Sequence, residues 1–135
     1  MKANYRSGLK QVILSFIFLS VIIMAACDDT YEQEPIVNTF QVADSNVTAT
    51  SAKVKGQIQL LGTQQIIEYG IELYKGGITN LVDHKGFNNA ATTDTFTVVF
   101  TGLDPSTLYY YWAYATVNTT RVHSQTVPHF TTKSQ

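Results

Sequence analysis

Cysteine is almost missing from this sequence: Cys27 stands near the amino end and no other follows it. Whatever lies beyond it folds without a disulfide and without thiolate chemistry. Charge is sparse too. From Ile36 onward the bases Lys53, Lys55, Lys75, Lys85, Arg121 and Lys133 are balanced by the acids Asp44, Glu68, Glu72, Asp83, Asp94 and Asp104. A neutral segment has no electrostatic footprint for nucleic acid or anionic lipid. A glycine-rich phosphate loop, a zinc-ligand spacing and an internal repeat are all lacking, so no cofactor and no metal site is expected. No stretch beyond Pro35 has a helical period, which excludes a helical architecture.

What is present begins at the amino end. Lys2, Arg6 and Lys10 precede an apolar run from Val12 to Ala26, interrupted by Ser15 and Ser20. Basic, apolar and small residues in that order describe a secretory signal. The run is about 15 residues, short of the roughly 20 that span a bilayer. The stretch "MAAC" resembles the lipobox of bacterial lipoproteins, which implies cleavage before Cys27 and a lipid (palmitate-type acyl) anchor on it. An ordinary signal with an incidental thiol and an uncleaved signal anchor are the alternatives. The expected division is a signal over 1–26, a lipidated tether over 27–35 and one domain over 36–135. Asp28, Asp29, Glu32 and Glu34 make the tether acidic, and it is expected to be extended and disordered up to Pro35. Acids directly after the lipidated cysteine resemble the surface-export signal of Bacteroidota lipoproteins. In enteric bacteria, Asp beside that cysteine suggests inner-membrane retention instead. The implied location is the cell envelope, at the outer membrane and on its surface if the first resemblance holds.

The remaining residues, about 100, suffice for one self-standing core. "SAKVKGQIQL" alternates, with Ala52, Val54, Gly56, Ile58 and Leu60 on one face and Lys53, Lys55, Gln57 and Gln59 on the other. "IEYGIELYK" is expected to put Ile67, Tyr69, Ile71 and Leu73 inward, with Glu68, Gly70, Glu72 and Tyr74 outward. "TFTVVFTGL" directs Phe96, Val98 and Phe100 inward. Half-buried strands of this kind belong to an antiparallel sandwich. Further strands are expected over Val37–Ala43, Asn80–Lys85, Tyr109–Val117 and Val122–Thr131. The fold class is therefore all-β, a seven-stranded antiparallel immunoglobulin-like sandwich.

"LDPSTLYYYWAYA" then resembles the corner and following strand of fibronectin type III domains, through Leu103, Pro105, Thr107, Tyr109, Tyr114 and Ala115. The resemblance implies a structural corner at Leu103, Pro105 and Tyr109, with the Tyr109 hydroxyl bonding back to nearby backbone. "VTATSAKVKGQI", "IEYGIELY" and "HFTTK" are similar to the variant common in Bacteroidota surface proteins, in which Gly56 stands where animal domains have a core tryptophan. Such domains serve many functions, so no activity follows from the likeness.

The stretch "YYYWAYA" also bears on function. Tyr109, Tyr111, Ala113 and Ala115 share one parity and are expected in the core. Tyr110, Trp112 and Tyr114 share the other, and face outward in a row about 13 Å long. With Glu68, Glu72 and Tyr74 on the neighbouring strand they form a candidate binding face for a sugar, a peptide or another protein. Packing of aromatics on their cross-strand neighbours explains the same pattern without a ligand. His123 and His129 lie roughly 20 Å apart if their strand is regular, and His84 falls on the opposite edge. Each is expected to be solvated, and no metal site follows. Ser51, Ser106 and Ser124 have no base nearby in any motif. The expectation is a non-enzymatic protein with a membrane anchor and an envelope protein or glycan as partner. The alternative is a structural accessory subunit of a larger outer-membrane complex, such as a glycan importer or an adhesin.

Overall fold

A computed structural model describes residues 31–135; the expected signal segment over 1–26 and Cys27 lie outside them. In chain order the strands are β1 (Ile36–Phe40), β2 (Ser51–Leu60), β3 (Ile66–Lys75), β4 (Leu81–Phe87), β5 (Thr95–Thr101), β6 (Leu108–Val117), β7 (Thr120–His123) and β8 (His129–Thr131). They form two sheets. One has the order β1-β2-β5, and the other β4-β3-β6-β7, with β8 also pairing β6; every pairing is antiparallel. The described chain is thus an all-β sandwich of eight strands.

The extra strand comes from the last expected one, Val122–Thr131, which is two pieces. β7 pairs with β6 at Tyr114↔His123 and β8 at Tyr110↔His129, and the chain between them loops away from the ladder. Pro128 lacks the N–H a continuous strand would need there. The gap closes with Ser124 N–H donating to Ala113 C=O at 2.9 Å and Tyr111 N–H donating to Pro128 C=O at 3.1 Å.

Alternation places the core. On β2, Ala52, Val54, Gly56 and Ile58 are buried while Lys53, Lys55 and Gln59 are exposed. On β3 the phase slips at its start. A register shift between Ile66 and Glu68 turns Ile66 inward (7 % exposed) and Ile67, expected inward, out to solvent (50 % exposed). A bulge inserts one residue, so it reverses the facing of the residues on its far side. Tyr69, Ile71 and Leu73 stay in the core beside Tyr109, Tyr111, Ala113 and Ala115.

Gly56 has a packing reason. A Cβ there would lie 2.6 Å from Cζ of Phe96 and 2.8 Å from Cβ of Ala113. The Phe96 ring fills that space and packs edge-on against Tyr69 and Phe87, with centroids 5.2 and 5.8 Å away. At this position the ring therefore comes from β5 and not from β2. Tyr111, fully buried, donates its hydroxyl to Phe40 C=O and accepts from Val42 N–H, both at 2.8 Å, which ties the end of β1 to the sandwich. At the β5–β6 corner the Tyr109 hydroxyl accepts from Asp104 N–H at 3.0 Å; Leu103 is buried and the Pro105 carbonyl accepts from the Thr107 hydroxyl. Of the segment expected to be free up to Pro35, the described part is held at Gln33. Gln33 N–H donates to the Thr63 hydroxyl and its carbonyl accepts from Thr63 N–H.

Candidate functional site

The outer face of the larger sheet holds a cluster centred on Glu72. Antiparallel register puts Glu72 opposite Trp112, and Tyr74 opposite Tyr110. On the other side of β6, the tight turn at Asn118 (φ 51°) fixes the β6–β7 register, which sets Arg121 opposite Thr116 and His123 opposite Tyr114. Paired residues share a face, so β3, β6 and β7 all deliver side chains to one place.

One oxygen of the Glu72 carboxylate accepts from the Tyr74 hydroxyl at 2.7 Å and from Trp112 Nε1 at 2.9 Å. His123 Nε2 lies 2.9 Å from the same oxygen and, facing a carboxylate, acts as donor. The other oxygen accepts from an Arg121 terminal nitrogen at 2.5 Å. The second terminal nitrogen of Arg121 reaches Glu68 at 3.1 Å, and the Tyr114 hydroxyl donates to Glu68 at 3.0 Å. The guanidinium carbon stands 4.0 Å above the Tyr114 ring centroid. Burial pushes the Glu72 carboxyl up, but hydrogen bonds from Tyr74, Trp112, Arg121 and His123 outweigh it and hold it below the usual carboxylate range. Burial and the Glu68 carboxylate raise the Tyr114 hydroxyl well above an ordinary phenol.

This arrangement corrects the expected open platform. Tyr114 is 0 % exposed, Glu72 4 % and Tyr74 9 %. Arg121 covers the Tyr114 ring. Gly86 of β4 leaves room beside it, since a Cβ at Gly86 would come within 2.8 Å of the Tyr114 hydroxyl. Trp112 stays at the surface, half-buried, edge-on to Tyr74 at 5.6 Å and tilted against His123 at 4.6 Å. Tyr110, also half-buried, leans on exposed His129 at 5.5 Å. The surface is thus two aromatic–imidazole pairs around a buried polar hub, with Glu68 partly covered at its rim.

His123 is likewise no solvated residue; it belongs to the hub. Arg121 and His123 are not among the site residues that the sequence pattern picks out. The short "VNTTR" turn is the available signal, since a tight hairpin fixes which residues oppose Tyr114 and Thr116. His84 is exposed, and Asp83 accepts from its backbone N–H and not from its ring. Ser124 is buried and donates to Thr126 C=O. Among the described residues no group of three or more His, Cys, Asp or Glu is placed to hold a metal ion. A carboxylate with its acceptor sites filled and its proton affinity lowered is suited to fixing neighbours in place, not to transferring protons.

No protein-family model matches the sequence, and no curated protein matches it. Solved structures do. The sensor domain of the anti-sigma factor RsgI4 in Pseudobacteroides cellulosolvens, in a shorter form, is similar with a TM-score of 0.59 and 13 % identity, over 75 % of this chain and 96 % of that one. A longer form of the same sensor domain has a TM-score of 0.58 and 16 % identity, over 76 % and 92 %. The fourth FNIII domain of a human protein has a TM-score of 0.54 and 17 % identity, over 82 % and 88 %. The described chain is a fibronectin type III-like β-sandwich.

Proposed function

We propose that this is a non-enzymatic, lipid-anchored cell-envelope protein that presents one fibronectin type III-like domain to a protein or glycan partner. The observation that carries the binding role is the Glu72 hub. It locks Trp112 and His123 into a rigid aromatic surface, so a ligand that settles there need not freeze mobile side chains. Anchoring is supported by the basic, apolar and small-residue order that ends at Cys27. The acids that follow favour the outer membrane and its outward face. A role as accessory subunit of a larger envelope complex is the second reading, and it is favoured by the early fastening of the tether at Gln33, which keeps the domain near its anchor.

Two measurements test these statements. Metabolic labelling with a fatty acid is expected to mark the wild type and not Cys27→Ala; equal labelling refutes the anchor. Retention of the full chain on an array of envelope polysaccharides and proteins is expected to fall at least tenfold for Trp112→Ala. Unchanged retention on every ligand bound by the wild type would remove the aromatic surface from the binding role.

A further inference from the structure

Among the described residues every sheet edge but one is protected. On β4, the register places Asp83 and Lys85 on the core-side face opposite Leu73 and Ile71, where they pair at 3.5 Å. Inward charges at an edge block strand addition. β7 and β8 are short and separated by the loop that ends at Pro128. β1 is five residues long with a register shift at Ile36/Val37. β5 has none of these devices. Its pairing with β2 runs unbroken from Ser51↔Thr101 to Gln57↔Thr95, and "TFTVVFT" contains no proline, glycine or charge. Among the described residues no strand pairs with its outer edge. Thr95, Thr97, Val99 and Thr101 are exposed, Val99 by 51 %.

The surroundings of that edge indicate what would pair with it. Lys75, Lys85, Arg121 and Lys133 each have a carboxylate within ion-pair distance. Among the described residues Lys53 and Lys55 have none, and they are the cross-strand neighbours of Val99 and Thr97. A strand added to β5 would lie about 9.6 Å from β2, two strand spacings away. Extended lysine and glutamate side chains meet over that distance, above the small Thr97 and Val99. At the Thr101 end of the edge a cleft of about 270 Å³ is lined by Leu73, Val82, Leu103 and Tyr109 together with the charged Lys75, Asp83 and Asp104.

We propose that the outer edge of β5 is a strand-addition site for an extended segment of a partner protein that alternates acidic with apolar residues. Backbone hydrogen bonds hold the segment, its acids at alternate positions pair with Lys53 and Lys55, and its apolar side chains lie on the core side, the one beside Thr101 reaching the cleft. A second copy of this chain fits less well. Two β5 strands paired about a two-fold axis would place both sets of Lys53 and Lys55 on one continuous sheet without an acid between them. The site deepens the partner-binding role proposed above, on which it rests, by naming a surface and a partner chemistry.

The test uses the full chain in detergent with two synthetic peptides of about nine residues, a usual strand length. One alternates valine with glutamate, the other valine with lysine. The glutamate peptide is expected to slow amide hydrogen exchange across Thr95–Thr101 and to bind at least tenfold more tightly than the lysine peptide. Lys53→Glu combined with Lys55→Glu is expected to reverse that preference. Val99→Glu, which sets an acid against the peptide's glutamates at an exposed position, is expected to abolish protection by the glutamate peptide while leaving Tm unchanged. Equal binding of both peptides, protection confined to the Trp112 face, absence of protection anywhere, or self-association through β5 would each overturn the proposal. Should Trp112→Ala abolish partner retention while the β5 variants retain it, the edge proposal falls and the binding role stands. Loss of retention only in the β5 variants supports the edge and removes the aromatic face.

Discussion

Replacing Glu72 with glutamine is the most informative single perturbation of this domain. The shape is kept, but one carboxylate oxygen becomes an amide that donates. If the amide nitrogen faces Arg121, two donors meet. If it faces the other way, the Trp112 Nε1–H loses its acceptor. Hydrogen bonds to a charged group contribute about 1.5–3 kcal/mol each, and leaving one partner of a buried ion pair alone costs about 3–5 kcal/mol. Arg121 keeps 35 % of its side chain in solvent, which lowers the expected loss to about 2–3 kcal/mol. For a domain of this size that is a fall in Tm of about 10–20 °C. The dependence on pH has a definite sign. Because the folded carboxyl lies below its ordinary value of 4.5, its contribution is complete above that value and is lost as pH falls through the folded value. The gap between wild type and Glu72→Gln, read by thermal unfolding at several pH values, is therefore expected to be constant near neutrality and to narrow below about 4.5. A gap under about 2 °C at pH 7, or one unchanged down to pH 3, would refute the view that the hub is held by an ionised Glu72.

Two residues of the core, Tyr111 and Gly56, give further outcomes. Tyr111→Phe leaves Phe40 C=O and Val42 N–H without their partner and is expected to cost about 2 kcal/mol in urea unfolding, against about 3–5 kcal/mol for Tyr111→Ala. Burial pushes the Tyr111 hydroxyl up to about 12, so its contribution is complete below about 10 and is lost as pH rises towards 12; absorbance titration of this residue should be silent up to about pH 10. Gly56→Ala is expected to destabilise by about 1–3 kcal/mol, since the new methyl meets Phe96 and Ala113, and Phe96→Leu in the same chain should recover part of that loss.

Alternation along β2 and β6 is legible because each strand has one wet and one dry face, and a period of two then sorts the residues. Tyr109 and Tyr111 are buried for that reason. Parity alone says which way Tyr114 points but not what lies on top of it. That depends on Arg121 and Gly86, which come from β7 and β4 and reach Tyr114 only when the sheet assembles. Ile67 faces solvent against expectation because a bulge leaves no mark in a run of two isoleucines. Pro128, in contrast, is a visible break in the last strand. The hub itself lies beyond a single sequence: Glu72 and Trp112 are 40 residues apart, and their pairing is set by the register of two distant strands.

That separation also sets how fast the domain can be made. The bond between Thr39 and Ser124 closes 85 residues of chain, and the one between Tyr111 and Phe40 closes 71. Loops of this size must form before the contacts that stabilise them, and sandwiches of such topology fold in milliseconds to seconds. Through that interval the "TFTVVFT" segment, uncharged and rich in β-branched residues, is open to other unfolded chains. Stopped-flow refolding should therefore lose amplitude, and not rate, as protein concentration rises. Productive folding of this domain is a race against encounter, and its outcome is set by how many unfinished copies are present together.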